Sequence, residues 1–262
     1  MKRICAVVIA LAFVSEARAG IVYRFESVTE TLTSHTFSGT VKADQGNVRI
    51  DVASGDGLLF GDGSVVLSST SGRMVTVLDP SKKTYYDLDV ENLLGRAVGA
   101  LSQFRELVKV EAKNPRVAVR DAGHGGRIES YPTRRSHVVS SFDLVMKMFG
   151  EKTPAHVDIN TDVWSTDRLP TEFANVMQTS RLRTGIDVVD KLIESQTSSL
   201  RGFPLKQVTT TRVTTRGSTT TSTTTSRVTA IRQATVAASE FAVPQGYRKV
   251  DNPVDSLLNL TR

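Results

Sequence analysis

Cysteine is almost missing from this chain, and Cys5 is the only one. With a single thiol no internal disulfide can form, and no cluster of thiolates can hold a metal. Stability must therefore come from a buried core. Aromatic residues are scarce as well, at 6% of the chain with one tryptophan, Trp164. The only sustained apolar run, Ile4 to Val14, is well short of the roughly 18–20 residues that a membrane helix needs. No membrane-spanning segment is expected.

The usual marks of catalysis are also wanting. The four histidines, His35, His124, His137 and His156, stand alone rather than at the His-x-His or His-x-x-x-His spacings that bring metal ligands together. The best local pair is His156 with Asp158, on one face of a strand. No metal site or cofactor is expected. Gly-x-Ser-x-Gly is absent, and Asp162, Asp167, Asp187 and Asp190 form no defined acid pair. Gly123-His124-Gly125-Gly126 has neither the lysine nor the following helix of a phosphate loop, and reads as a turn between strands. The chain is expected not to be an enzyme.

Charge is mild, at +6, and both signs are interspersed. That is the pattern of a solvated surface rather than of a nucleic-acid groove, so no nucleic-acid partner is expected. Arg120, Arg127, Arg134 and Arg135 make either a local basic patch for anionic lipid or ordinary exposed strand arginines.

What is present begins with a leader. Lys2 and Arg3, the apolar run, and then Ala17-Arg18-Ala19 have the layout of a secretory signal over 1–19, so the mature chain is expected to start at Gly20 and to be periplasmic. Cys5 lies inside the leader rather than at the cleavage point, and no lipid anchor is expected. The rest reads as one domain over 20–250 with a C-terminal tail, 251–262.

From Ile21 to Leu88 apolar and polar residues alternate, as in Val48-Arg49-Ile50-Asp51-Val52. Strands are expected there and at Val65–Ser68, Arg73–Leu78 and Thr84–Leu88, with turns at Asp62-Gly63, Ser71-Gly72 and Pro80-Ser81. Three- and four-residue spacings predict helices near 91–108, 171–183 and 186–200. Alternation returns at Val117–Val119, Arg127–Tyr131, His137–Phe142 and Val157–Trp164. The threonine-rich stretch 209–229 reads as two exposed strands turning near Arg216-Gly217-Ser218, or as a disordered loop. Phe241–Tyr247 reads as a short strand.

Several phrases carry a family likeness. They are Gly39-Thr40-Val41-Lys42 before Val48-Arg49-Ile50-Asp51, Val75-Thr76-Val77-Leu78-Asp79-Pro80 with Lys82-Lys83-Thr84-Tyr85, Asp162-Val163-Trp164-Ser165-Thr166-Asp167, Gly202-Phe203-Pro204-Leu205, and Val243-Pro244-Gln245-Gly246-Tyr247. In these the chain resembles an uncharacterised periplasmic family of the lipoprotein-carrier superfamily, LolA- and LolB-like. The resemblance implies a mainly β, α+β fold: a curved antiparallel sheet, an unclosed barrel, with helices on its concave side. It also implies a cavity for a lipid, a lipoprotein's acyl chain or another apolar ligand, with a lipid or lipidated protein as the partner. The alternative is an envelope interaction module whose barrel is filled and whose partner is another protein. Candidate lipid contacts, chosen from apolar strand faces, are Tyr23, Phe25, Ile50, Val52, Val75, Val77 and Trp164; each is otherwise core.

Overall fold

The computed structural model describes residues 20–55, 60–69, 74–89, 108–148, 151–171, 184 and 186–253. The leader, the expected helices 91–108 and 171–183 apart from their end residues, Arg73 with the Ser71-Gly72 turn, and the end of the tail lie outside the described residues; Val108 belongs to a strand rather than to the first of these helices.

One twelve-stranded sheet organises the chain. The alternating N-terminal segment forms a meander of β1 (Gly20–Glu30), β2 (Ser34–Asp44), β3 (Asn47–Ser54), β4 (Val65–Ser69), β5 (Met74–Asp79) and β6 (Thr84–Asp89). The chain then passes to the opposite edge and returns through β7 (Val108–Ile128), β8 (Tyr131–Met148) and β9 (Glu151–Thr166). Helix α1 (Asp187–Ser198) follows, then the hairpin β10 (Phe203–Thr215) and β11 (Ser218–Ala234), and β11 pairs with β1 to join the two halves. The order is β12-β6-β5-β4-β3-β2-β1-β11-β10-β9-β8-β7, so the sheet is curved but unclosed. Among the described residues all pairings are antiparallel except that of β12 (Arg248–Lys249), which lies parallel to β6.

Because side chains alternate across a strand, the registers fix which residues share a face. Phe25 lies opposite Gly39 and Val228, Val41 opposite Tyr23 and Ile50, and Val66 opposite Ile50 and Val77. These residues form the inner face. Its largest cluster holds Ile21, Tyr23, Phe25, Val41, Ala43, Phe203, Leu205 and Val228. A second, with Val52, Val66, Val75, Val77 and Leu88, continues it under β3–β6. Helix α1 rests on the inner face at the other end, where Leu192 joins Phe142 and Val157. The outer face of β4 and β5 is also apolar, and Val65, Leu67 and Leu78 are covered there by Val243 and Tyr247 from the C-terminal segment.

Some expected boundaries shift. Gly123-His124-Gly125-Gly126 is not the turn. Gly123 and Gly126 take positive φ values of 80° and 79° within β7, where they make bulges, and the chain reverses later, at Glu129-Ser130. The expected strand Arg127–Tyr131 thus spans that reversal. Pro115 is also inside β7, beside a bulge at Asn114, which is tolerated because, among the described residues, β7 is an edge strand with no ladder to break on its outer side. Phe241–Tyr247 is not a strand; a single 3-10 turn, Ala238–Phe241, and a reversal at Gly246 precede β12. The threonine-rich segment is an ordered hairpin, turned by Arg216 and Gly217 at φ 51° and 81°.

Candidate functional site

The inner face changes character along the sheet. Under β1–β6 it is aliphatic and aromatic. Further along, two cross-strand rows are polar: Val163, Gln207, Ser226 and Ser27 make one, and Thr161, Thr209, Thr224 and Thr29 the next. Hydroxyls meet across the strands, with Ser27 Oγ 2.9 Å from Ser226 Oγ, Thr29 Oγ1 2.9 Å from Thr224 Oγ1, and Thr161 Oγ1 3.1 Å from Thr209 Oγ1. Gln207 Nε2 donates to Thr209 Oγ1 at 3.1 Å. Beyond these rows the face is apolar again, under α1.

A cavity of about 390 Å³ lies over this belt. Its floor combines Thr209, Thr224, Ser226 and Gln207 with Val138, Val163, Leu205 and Val228, and the end of α1 roofs it with Gln196, Thr197 and Leu200. The roof is tied down at Gln196, whose Nε2 donates to Ser140 Oγ at 2.5 Å. Phe37 stands at the margin, tilted against Phe25 and stacked on Phe60, at centroid distances of 5.1 and 6.1 Å. It separates the cavity from the packed aliphatic cluster beneath β3–β6.

Of the candidate contacts, Tyr23, Phe25, Ile50, Val52, Val75 and Val77 come together on the inner face, where they are core; Tyr23 is fully buried, and burial raises its phenol pKa. Trp164 is on the opposite face from its neighbour Val163. Its ring lies between Arg135 and Lys206, with Cζ 5.0 Å and Nζ 4.9 Å from the centroid. Arg135 is neutralised by Asp162 at 3.0 Å. The residues missed in the sequence are the hydroxyl belt and the roof. Their signal was the unbroken run of threonine and serine, which alternation assigns equally to either face.

Three of the four arginines are engaged locally. Arg134 lies 3.8 Å from Asp121, Arg135 pairs with Asp162, and Arg127 donates to the Ser130 carbonyl. His156 is held on the outer surface between Asp143, 2.6 Å from Nδ1, and Asp158, 3.4 Å from Nε2. Hydrogen bonding to Asp143 raises the His156 pKa, while Asn114 and then His156 lower that of Asp143. Thr214, opposite His156, is engaged with Thr219. Among the described residues the cluster is an exposed set of His–Asp contacts with no poised nucleophile. Among the described residues no three histidines, cysteines or carboxylates are placed to hold a metal, and no helix is long and apolar enough to cross a membrane.

No family model and no curated protein matches the chain. Solved structures do resemble it. PNGF-II is 10% identical with a TM-score of 0.34; the match covers 92% of this chain, which spans only 33% of PNGF-II. A LolA superfamily protein from Nitrosomonas europaea is 8% identical over 86% of this chain and 90% of its own, at a TM-score of 0.31. A domain named for outer membrane lipoprotein sorting, from Vibrio parahaemolyticus, is 12% identical over 94% of this chain and 93% of its own, at 0.33. LolA superfamily proteins thus stand among the structures this chain resembles. None of the three, at these scores, bears on its ligand.

Proposed function

We propose that the chain is a non-enzymatic, periplasmic binding protein that holds a lipid, or the acyl chain of a lipoprotein, between α1 and the inner face of the sheet. The observation that carries this is the cavity itself, about 390 Å³ in volume. Ligand sites commonly enclose roughly 300–1,000 Å³ and combine apolar walls with a few polar groups. Val138, Val163, Leu205 and Val228 supply the apolar walls. Burying about ten methylenes at about 0.8 kcal/mol each would offset the cost of ordering the ligand and closing the roof.

Tyr23, Phe25, Ile50, Val52, Val75 and Val77 enter this proposal as the continuation of the apolar floor. A long chain reaches them when Phe37 turns aside, because Phe37 borders both the cavity and Phe25. Trp164 is on the outer face and takes no part in contact with a ligand held there.

The test is calorimetric titration of pure, folded protein with a fatty acid or phospholipid probe. Saturable binding is expected, and Val163→Asp should weaken it at least tenfold, since a carboxylate there must be desolvated or take up a proton. The second reading, an envelope interaction module, has the exposed hairpin tip at Arg216-Gly217 in its favour. If folded protein binds no lipid while a pull-down recovers a partner that shortening of this hairpin abolishes, the second reading replaces the first.

A further inference from the structure

The hydroxyl belt is more than strand formation requires. Valine and threonine both favour strands, and the same inner face uses valine at Val138, Val163 and Val228, immediately beside the belt. A cavity shaped for a hydrocarbon chain alone gains nothing from threonine at 161, 209 and 224, since each hydroxyl facing such a chain would lose its water without replacement. The belt's own bonds leave capacity over. In the pairs Ser27–Ser226 and Thr29–Thr224 one hydroxyl hydrogen serves the partner, so the second hydrogen and the remaining lone pairs of each pair are not used between them.

Among the described residues, the charged groups of the cavity lining are turned to the outer face or stand at the rim. No carboxylate lines the cavity among the described residues. Lys206 and Arg227 form part of its wall, but their side chains are engaged on the outer face, with the Trp164 ring and with Glu26 at 2.7 Å. Arg201 is exposed at the rim. What faces the cavity floor is a set of neutral donors and acceptors with aliphatic side chains on either side. Among the described residues Arg201 at the rim is the one lining cation without a partner on the outer face, and none stands over the belt itself, so a carboxylate or phosphate resting on the belt would lack a facing cation, whereas an uncharged hydroxylated group can exchange its water for threonine, serine and glutamine.

We infer that the ligand is an amphiphile with an uncharged, polyhydroxylated head, a sugar-bearing lipid, whose head rests on the belt at Thr209, Thr224, Ser226 and Gln207 and whose chain lies against Val138, Val163 and Leu205. This rests on the binding reading above and specifies the class of ligand for the same cavity.

The experiment compares n-octyl glucoside below its micelle concentration with octanoate, which has the same chain length and a charged head, and with free glucose, all by calorimetry on the intact protein. Octyl glucoside is expected to bind saturably, about tenfold tighter than either of the others. Thr209→Val and Thr224→Val should each weaken the glucoside by about three- to tenfold, the size of one hydrogen bond between neutral groups, and leave octanoate within about twofold. Should either valine variant fail to fold by circular dichroism, Ser226→Ala provides the same comparison with a smaller change. Octanoate binding as tightly as the glucoside, or glucoside binding unmoved by loss of the hydroxyls, overturns the inference and leaves the binding function standing. Saturable binding of neither amphiphile, nor of longer-chain lipid, removes both.

Discussion

Leu192 is the single fully packed residue of α1, at 4% exposure, and it secures the roof of the cavity by entering a small cluster with Phe142 and Val157. Replacing it with alanine removes the apolar branch from that cluster. Leucine-to-alanine changes in cores cost about 2–5 kcal/mol, and the lower half of that range applies here, because Val189, Ile159 and Val213 around it are only half-buried and free to close in. A loss of about 3 kcal/mol is therefore expected. Since α1 is otherwise held by half-buried contacts such as Val189, by the Gln196–Ser140 bond and by its flanking chain, the loss should fall on the docking of the helix rather than on the whole sheet. Converted at about 1.4 kcal/mol per tenfold, hydrogen exchange of the α1 amides should speed up by about 100-fold. Amides of β1 and β2, around Tyr23 and Val41, should change by less than about tenfold. Exchange by mass spectrometry on Leu192→Ala and the parent reads both regions at once. An α1 as protected as before, or equal acceleration of α1 and β1, would refute the view that this helix is a separately docked roof.

Two further outcomes follow from particular contacts. A Cβ on Gly39 would lie 2.4 Å from the Asp51 carbonyl oxygen and 3.1 Å from the Phe25 ring, so Gly39→Ala should cost about 3 kcal/mol in urea denaturation, as overpacking does. The pair Asp87–Lys249, at 2.7 Å, clips β12 to β6. Lys249 lowers the Asp87 pKa from 3.8, so this contribution is present above pH 3.8 and is lost as pH falls through the folded value; Asp87 raises the Lys249 pKa from 10.5, so it is full below pH 10.5 and lost as pH rises through the higher folded value. The amides of Arg248 and Val250, which donate to the Lys83 and Tyr85 carbonyls, should then exchange faster relative to core amides at pH 3 than at pH 6, after correction for intrinsic rates, and unchanged relative protection would refute the clip.

The strands of the first half were legible because one face was buried and alternation said which. Val48 to Val52 and Val75 to Val77 could be assigned from apolar spacing alone, and their registers follow it. The reversal after β7 was not legible. Glycines signal either a turn or a bulge, and in an edge strand the bulge wins at Gly123 and Gly126 while Glu129 makes the turn with φ 52°. The candidate contacts show the same limit in another form. Spacing selects apolar faces without saying which stretch is open, so it names the buried Tyr23 and Phe25 and not Val138 or Leu205, which line the cavity. Its floor has residues that read as exposed strand, and its roof depends on a helix whose place over the sheet no local pattern states. Trp164 looked like a member of the apolar set only because the strand around it is half-buried on both faces.

The hairpin that carries the belt has a register that its own sequence does not specify. Threonine or serine occupies both faces along Thr209–Thr211 and Thr219–Ser226, so sliding one strand by a residue would exchange near-equivalent side chains. The register must be set at the ends. At the base, Leu205 and Val228 belong to the main core and are almost fully buried. At the tip, Arg216 and Gly217 form a two-residue reversal with both φ values positive, the geometry of a tight hairpin turn. Space around Gly217 is open, so its requirement is conformational alone. Gly217→Val should therefore cost about 1–2 kcal/mol, the penalty of a branched side chain in the left-handed region, and part of that cost can be escaped by slipping the turn. The expected result is more than one set of amide resonances for Thr210–Thr223, with a single set retained near Leu205 and Val228. The belt residues Thr209 and Thr224 lie between these ends, so octyl glucoside binding should weaken together with the appearance of the second set. A variant with one set of resonances and stability within about 0.3 kcal/mol of the parent would show that the register is held along the hairpin itself, by hydroxyl pairs such as Thr29–Thr224 and Thr161–Thr209, which only one register satisfies.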